Sequence, residues 1–112
     1  MLNGIDSRMI ANNLEPCYLT HPGEVVKDEL EFRGISQRKL ANEIGISAKQ
    51  LNEVLNGKRP ITSELALLFE AALGISAATL LTLQTRFNLL ATKRSSSFLA
   101  RLQLVRRIVA AL

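Results

Sequence analysis

Residues 36–57 read SQRKLANEIGISAKQLNEVLNG, and this stretch decides the fold. Ser36 is a helix-capping residue, and Leu40, Ala41 and Ile44 after it fall on one face of a short helix over 37–44 that Gly45 stops. Ser47 and Gln50 then make an S-x-x-Q capping box at the head of a second helix over 48–55, ended by Asn56-Gly57. Two helices that cross steeply through a tight turn need a small residue where they touch, a residue tolerating positive φ in the turn, and apolar residues pinning the pair to a core. Ala41, Gly45, and the set Leu40, Ile44, Ile46, Leu51 and Val54 fill those places. The spacing predicts a helix-turn-helix unit, whose second helix enters the major groove of DNA while the first braces it.

On that second helix the outward residues are Ser47, Ala48, Lys49, Asn52, Glu53 and Asn56, short or polar and not needed by the core. Lys49 suits guanine acceptors, Asn52 adenine, Glu53 the cytosine amine and Ala48 a thymine methyl. Gln50 shares the head of the helix with them. Gln37 and Arg38 begin the preceding helix, and Lys58, Arg59, Thr62 and Ser63 follow the second, where side chains and a helix N-terminus can hold phosphates. These thirteen positions are the candidate DNA contacts.

Working outward, Thr20 or His21 can cap a helix with Pro22 in its first turn, running to about Arg33 and closed by Gly34. Val25, Val26, Leu30 and the stem of Glu29 form its inner stripe, with Glu24, Lys27, Asp28 and Glu31 facing water. A further helix starts at Thr62 or Ser63 and ends at Gly74, burying Leu65, Leu68, Phe69, Ala72 and Leu73. Ser76 caps a fifth that runs through Leu90 and as far as Lys93. Ser95, Ser96 and Ser97 break the pattern, and Phe98, Leu102, Val105, Val109 and Leu112 then recur at helical spacing opposite Arg101, Arg106 and Arg107. There is no strand signal and no internal repeat. The expected fold is all-α. It has a flexible arm over 1–19 with a short helical piece near 7–11, a five-helix DNA-binding domain over 20–93, and a basic amphipathic C-terminal helix over 94–112.

The chain has 112 residues, the length of one domain. Its 47% apolar residues include only four Phe and one Tyr, so the core must be mainly aliphatic, which suits packed helices. The net charge of +4 selects no partner class by itself. Its distribution says more, because residues 71–112 hold six Lys or Arg and no acid. Cys17 is the only cysteine, which excludes an intrachain disulfide and disfavours a cysteine-based metal site. Neither a signal peptide nor an apolar run of membrane-spanning length is present, so a cytoplasmic protein without membrane contact is expected. The sole His21 sits at a helix start, and no nucleophile with a paired acid and no phosphate-cradling glycine loop is present. An enzyme, a cofactor and a metal site are therefore not expected.

One such module covers little DNA, so a two-fold dimer on inverted half-sites about one turn, ~34 Å, apart is expected. The stripes Leu80, Leu81, Leu83, Phe87 and Leu90 and the C-terminal apolar face exceed what one small core hides, which places the homodimer contact there. The same residues can equally close the monomer's own core.

The segments His21-Pro22-Gly23-Glu24, Gly34-Ile35-Ser36-Gln37, Leu40-Ala41, Ile46-Ser47, Asn56-Gly57-Lys58-Arg59, Ile61-Thr62, Ala72-Leu73-Gly74 and Leu83-Gln84-Thr85-Arg86-Phe87 together resemble the HigA-type antitoxins of the XRE, phage-repressor-like group. The likeness covers residues 20–88. The resemblance implies a dimeric repressor of its own operon that also neutralises a small, basic, mRNA-cleaving toxin of the HigB kind; Glu24, Asp28, Glu29 and Glu31 offer that toxin an acidic patch. The chain departs from the group in lacking an aromatic near Leu80-Leu81 and an acid near Asn88, and in adding the basic tail. Two other readings fit the same fold, a stand-alone XRE-type regulator without a toxin and a protein interaction module that does not bind DNA.

Overall fold

The computed structural model describes residues 20–112. The arm expected over 1–19, its helical piece and Cys17 lie outside the described residues. Six helices follow in order: α1 Pro22–Arg33, α2 Gln37–Ile44, α3 Ala48–Leu55, α4 Ser63–Leu73, α5 Ala77–Lys93 and α6 Ser96–Ala110. Each starts on a side chain that satisfies a free backbone N–H, namely His21, Ser36, Ser47, Thr62, Ser76 and Ser95. Gly45 turns the chain between α2 and α3 at φ 79°, a left-handed backbone that a β-carbon would strain.

The core gathers Val26 and Leu30 of α1, Leu40 and Ala41 of α2, Leu51, Val54 and Leu55 of α3, Leu65, Ala66, Phe69 and Leu73 of α4, and Ala77 and Leu80 of α5. Val25, Ile35, Ile44, Ile46, Ile75 and Leu81 pack around it. Polar clamps close the helix ends. Arg33 Nη2 donates to the Leu73 carbonyl at 2.6 Å, and Glu70 Oε2 accepts from the Ala77 N–H at 3.2 Å. Thus the end of α1 holds the end of α4, and α4 holds the start of α5.

The expected stripe of α4 needs correction. Leu68 is 38% exposed and Ala72 is exposed, while Ala66 is fully buried. The segment 65–69 is apolar all round, so periodicity could not choose a face. The close approach of α4 to its neighbours takes the smallest side chain, Ala66, and rotates Leu67 and Leu68 outward.

The break before α6 is shorter than three serines. Ser95 is the cap, its Oγ accepting from the Phe98 N–H, and Ser96 and Ser97 already lie in the first turn. Phe98 and Leu102 face Thr85, Asn88, Leu89 and Thr92 of α5 across an apolar groove. No residue of α6 is buried, and Val105, Ile108 and Val109 are about half exposed, at 48, 54 and 59%. No helix among the described residues is long and apolar enough to cross a membrane.

Candidate nucleic-acid interface

The brace and the outward helix are joined by a side-chain hydrogen bond. Asn52 Nδ2 on α3 donates to Gln37 Oε1, the first residue of α2, at 3.2 Å. At the heads of the two helices, Ser36 Oγ accepts from the Lys39 N–H at 3.1 Å and Ser47 Oγ from the Gln50 N–H at 3.0 Å. Further N–H groups of those first turns lack a carbonyl partner inside the helix, and Arg38, Lys39 and Lys49 beside them are all exposed. Each head therefore presents partial positive charge next to full positive charge, the arrangement that favours an anion.

Behind α3 the chain turns at Gly57 and passes Lys58, Arg59 and Pro60 to the α4 cap, Thr62, whose Oγ1 accepts from the Leu65 N–H at 3.2 Å. Arg59 Nε reaches back to Glu53 Oε1 on α3 at 2.5 Å. That hydrogen bond, aided by the charges of Arg59, Lys49 and Lys58, holds the Glu53 carboxyl below its ordinary range against a smaller desolvation effect. Gln50, Arg59, Thr62 and Glu64 line one cavity with Ile46, Val54, Leu65 and Leu68, which brings the head of α4 beside α3.

The thirteen candidate contacts separate accordingly. Ser47, Ala48, Lys49, Asn52 and Asn56 are exposed along α3, and Arg38, Lys58, Arg59, Thr62 and Ser63 are exposed around it. Gln37 is half-buried by its bond to Asn52. Gln50 is half-buried against the α4 cavity, and Glu53 is half-buried and engaged by Arg59, so each is turned from the open part of the face. Asn56 is held from two sides, donating to the Asn52 carbonyl at 2.9 Å and accepting from Lys27 Nζ at 3.4 Å.

Three residues support this face through packing roles that the sequence analysis did not assign. Gly23 lies so close to the end of α3 that a β-carbon there would sit 2.1 Å from the Val54 carbonyl oxygen. His21 is buried, takes the Gly23 N–H on Nδ1 at 2.9 Å, and meets Phe87 of α5 edge-on at 4.8 Å between ring centres. Desolvation lowers its pKa from the ordinary 6.5, only partly opposed by Glu24. Gln84 of α5 is also buried and accepts from the Ile61 N–H at 2.7 Å. A usable signal did exist for Gln84, since it falls on the stripe Ala77, Leu80, Gln84, Phe87 where an apolar residue is expected.

A helix-turn-helix family profile matches residues 26–80. Virulence-associated protein I of Dichelobacter nodosus is 34% identical over 70 residues, covering 62% of this chain and 65% of that protein, so the chain spans somewhat under two thirds of that relative. A HigA-family addiction module antidote protein from Coxiella burnetii is 30% identical with a TM-score of 0.65, covering 70% of this chain and 87% of its own. The Pseudomonas aeruginosa antitoxin HigA, solved with the higBA promoter, is 28% identical with a TM-score of 0.64, covering 68% of this chain and 84% of its own. With Gly45 in the turn, Ala41 at the helix contact and α3 facing outward, the chain belongs to the XRE-type helix-turn-helix family, and HigA-type antitoxins are among its structural neighbours.

Proposed function

We propose that this chain is an operator-binding repressor of a toxin–antitoxin operon, acting in the cytoplasm as a two-fold homodimer and neutralising an mRNA-cleaving toxin of the HigB kind. The observation that carries the DNA half is the bond from Asn52 to Gln37, which fixes an amide on the open face of α3 among two capped helix heads and the five exposed cations Arg38, Lys39, Lys49, Lys58 and Arg59. In this reading Ser47, Ala48, Lys49 and Asn52 read base edges. Gln37, Arg38, Lys58, Arg59, Thr62 and Ser63 hold phosphates, while Gln50, Glu53 and Asn56 border the contact. The exposed apolar residues of α6 and the groove it makes with α5 support a second copy closing on that side. The antitoxin half is supported by the likeness to HigA proteins and by the exposed acids Glu24, Asp28 and Glu31 on α1, which suit a basic partner.

The test is titration of the purified chain against labelled DNA from its own upstream region and a shuffled control, at two salt concentrations, since phosphate contacts make affinity salt-dependent. Tight binding that prefers the native sequence at both salts is expected. Equal weak binding to both sequences, lost at higher salt, overturns the repressor. Co-expression with the product of the adjoining gene tests the antitoxin half, and failure of any small basic neighbour to co-elute leaves only the regulator.

A further inference from the structure

We propose that Gln84, oriented by Asn88, is the positioning residue that sets the 57–62 segment for DNA contact, a role that rests on reading that segment as part of the interface. Gln84 occupies a seat on α5 that an apolar residue would fill with better packing, and only 6% of its surface is exposed. A buried amide is costly unless both its ends are hydrogen-bonded. Both ends are. Its Oε1 accepts from the Ile61 N–H at 2.7 Å, and its Nε2 donates to Asn88 Oδ1 at 3.0 Å, one turn further along α5.

The target of the first bond gives the arrangement its meaning. Ile61 is the residue between Arg59-Pro60 and Thr62, the α4 cap. Its side chain is buried in the core, so the core anchors one side of the segment and Gln84 anchors the backbone. If the amide turned over, Nε2 would face the Ile61 N–H and the interior would hold an unsatisfied donor. Asn88 opposes that turn by accepting from Nε2 at 3.0 Å. The backbone of α5 near Asn88 is itself engaged, because the Asn88 carbonyl accepts from Thr92 Oγ1 at 2.7 Å. A fixed line of hydrogen bonds therefore runs from Asn88, in the wall of the α5–α6 groove, through Gln84 to the segment carrying Lys58 and Arg59.

Three variants of the full chain separate this role from ordinary packing. Gln84→Leu removes the acceptor, Asn88→Ala leaves it in place but unoriented, and Gln84→Glu in its neutral form reproduces both bonds. Two readouts apply, hydrogen exchange of the Ile61 amide in the free protein and the salt dependence of operator binding. Exchange at Ile61 is expected to quicken about three- to tenfold in Asn88→Ala and further in Gln84→Leu. Operator affinity is expected to fall by a similar factor, with a shallower salt slope from weakened phosphate contacts, and Gln84→Glu is expected to restore both at a pH low enough to protonate its carboxyl. Wild-type exchange at Ile61 in Gln84→Leu and Asn88→Ala would overturn the proposal. So would faster exchange with unchanged affinity and slope. Should Gln84→Leu not fold, Asn88→Ala carries the test, since Asn88 is exposed and its side chain bonds Gln84. The exchange experiment needs no DNA, so a wild-type chain without operator preference would refute the repressor reading separately from the anchoring.

Discussion

Asn52 Nδ2 lies 3.2 Å from Gln37 Oε1, so the exposed Asn52 amide of α3 is held in orientation by the first residue of α2. Because the acceptor takes one donor of Nδ2, the remaining donor and acceptor of the Asn52 amide are, in the proposed reading, ordered before any base arrives. Gln37→Ala is therefore expected to reduce discrimination at the base pair facing Asn52 by about 1 kcal/mol, and less at the others. Titration against operators changed at single positions checks this, and a uniform loss across all of them would contradict it.

Lys49 and Arg59 divide the work differently. Lys49 is exposed on α3, whereas Arg59 lies on the segment behind it and is drawn to Glu53. Lys49→Ala should shift sequence preference. Arg59→Ala should weaken native and shuffled DNA alike and lower the salt slope by about one. Equal, sequence-blind losses from both substitutions would refute the assignment.

In the proposed reading, the bond to Glu53 offsets part of the charge that Arg59 brings to phosphate. Glu53→Gln is expected to release the guanidinium and raise affinity for DNA of any sequence, most at low salt. Filter binding of shuffled DNA reads the change directly, and lower affinity would show that Glu53 serves the contact instead of restraining it.

Gly23 permits α1 to start against the end of α3. The β-carbon introduced by Gly23→Ala would meet the Val54 carbonyl oxygen at 2.1 Å and Leu55 Cα at 3.1 Å, both backbone atoms that cannot turn aside. A loss of about 1–3 kcal/mol of stability is expected from chemical denaturation, the scale of overpacked cores. Gly34 meets no atom, so its only demand is its φ of 68°, and Gly34→Asn should be milder because asparagine tolerates that region.

His21 makes stability depend on pH. Its Nδ1 can accept from the Gly23 N–H only when unprotonated, and burial places its folded pKa below the ordinary 6.5. The folded state thus binds fewer protons than the unfolded state between those two values, so stability is complete above about pH 6.5 and declines as pH falls below it toward the folded pKa. His21→Asn puts a capping oxygen in place of Nδ1 and has no titration. Urea midpoints across mildly acid pH should fall in the native chain and change less in the variant. Matching slopes would assign the decline to other groups.

Much of the architecture follows from local chemistry that a linear chain displays. Serine and threonine caps, glycine stops and the spacing of Leu40, Ala41, Leu51 and Val54 depend on contacts within a few residues, so the helix-turn-helix and its outward face are legible without coordinates. Long-range relationships are of another kind. Gly23 pressing on the Val54 carbonyl, His21 meeting Phe87, and Gln84 holding the Ile61 N–H all join residues distant in sequence, and the choice of Ala66 over Leu68 for the buried seat is made by such neighbours. Periodicity tells which face of a helix is apolar, but not how closely another backbone approaches it or which buried donor awaits an acceptor. The sequence by itself determined six helices, the caps of the first five, and most of the residues that α3 leaves exposed. Only the tertiary structure decided how those residues are held, because steric approach and hydrogen-bond satisfaction are properties of the packed interior.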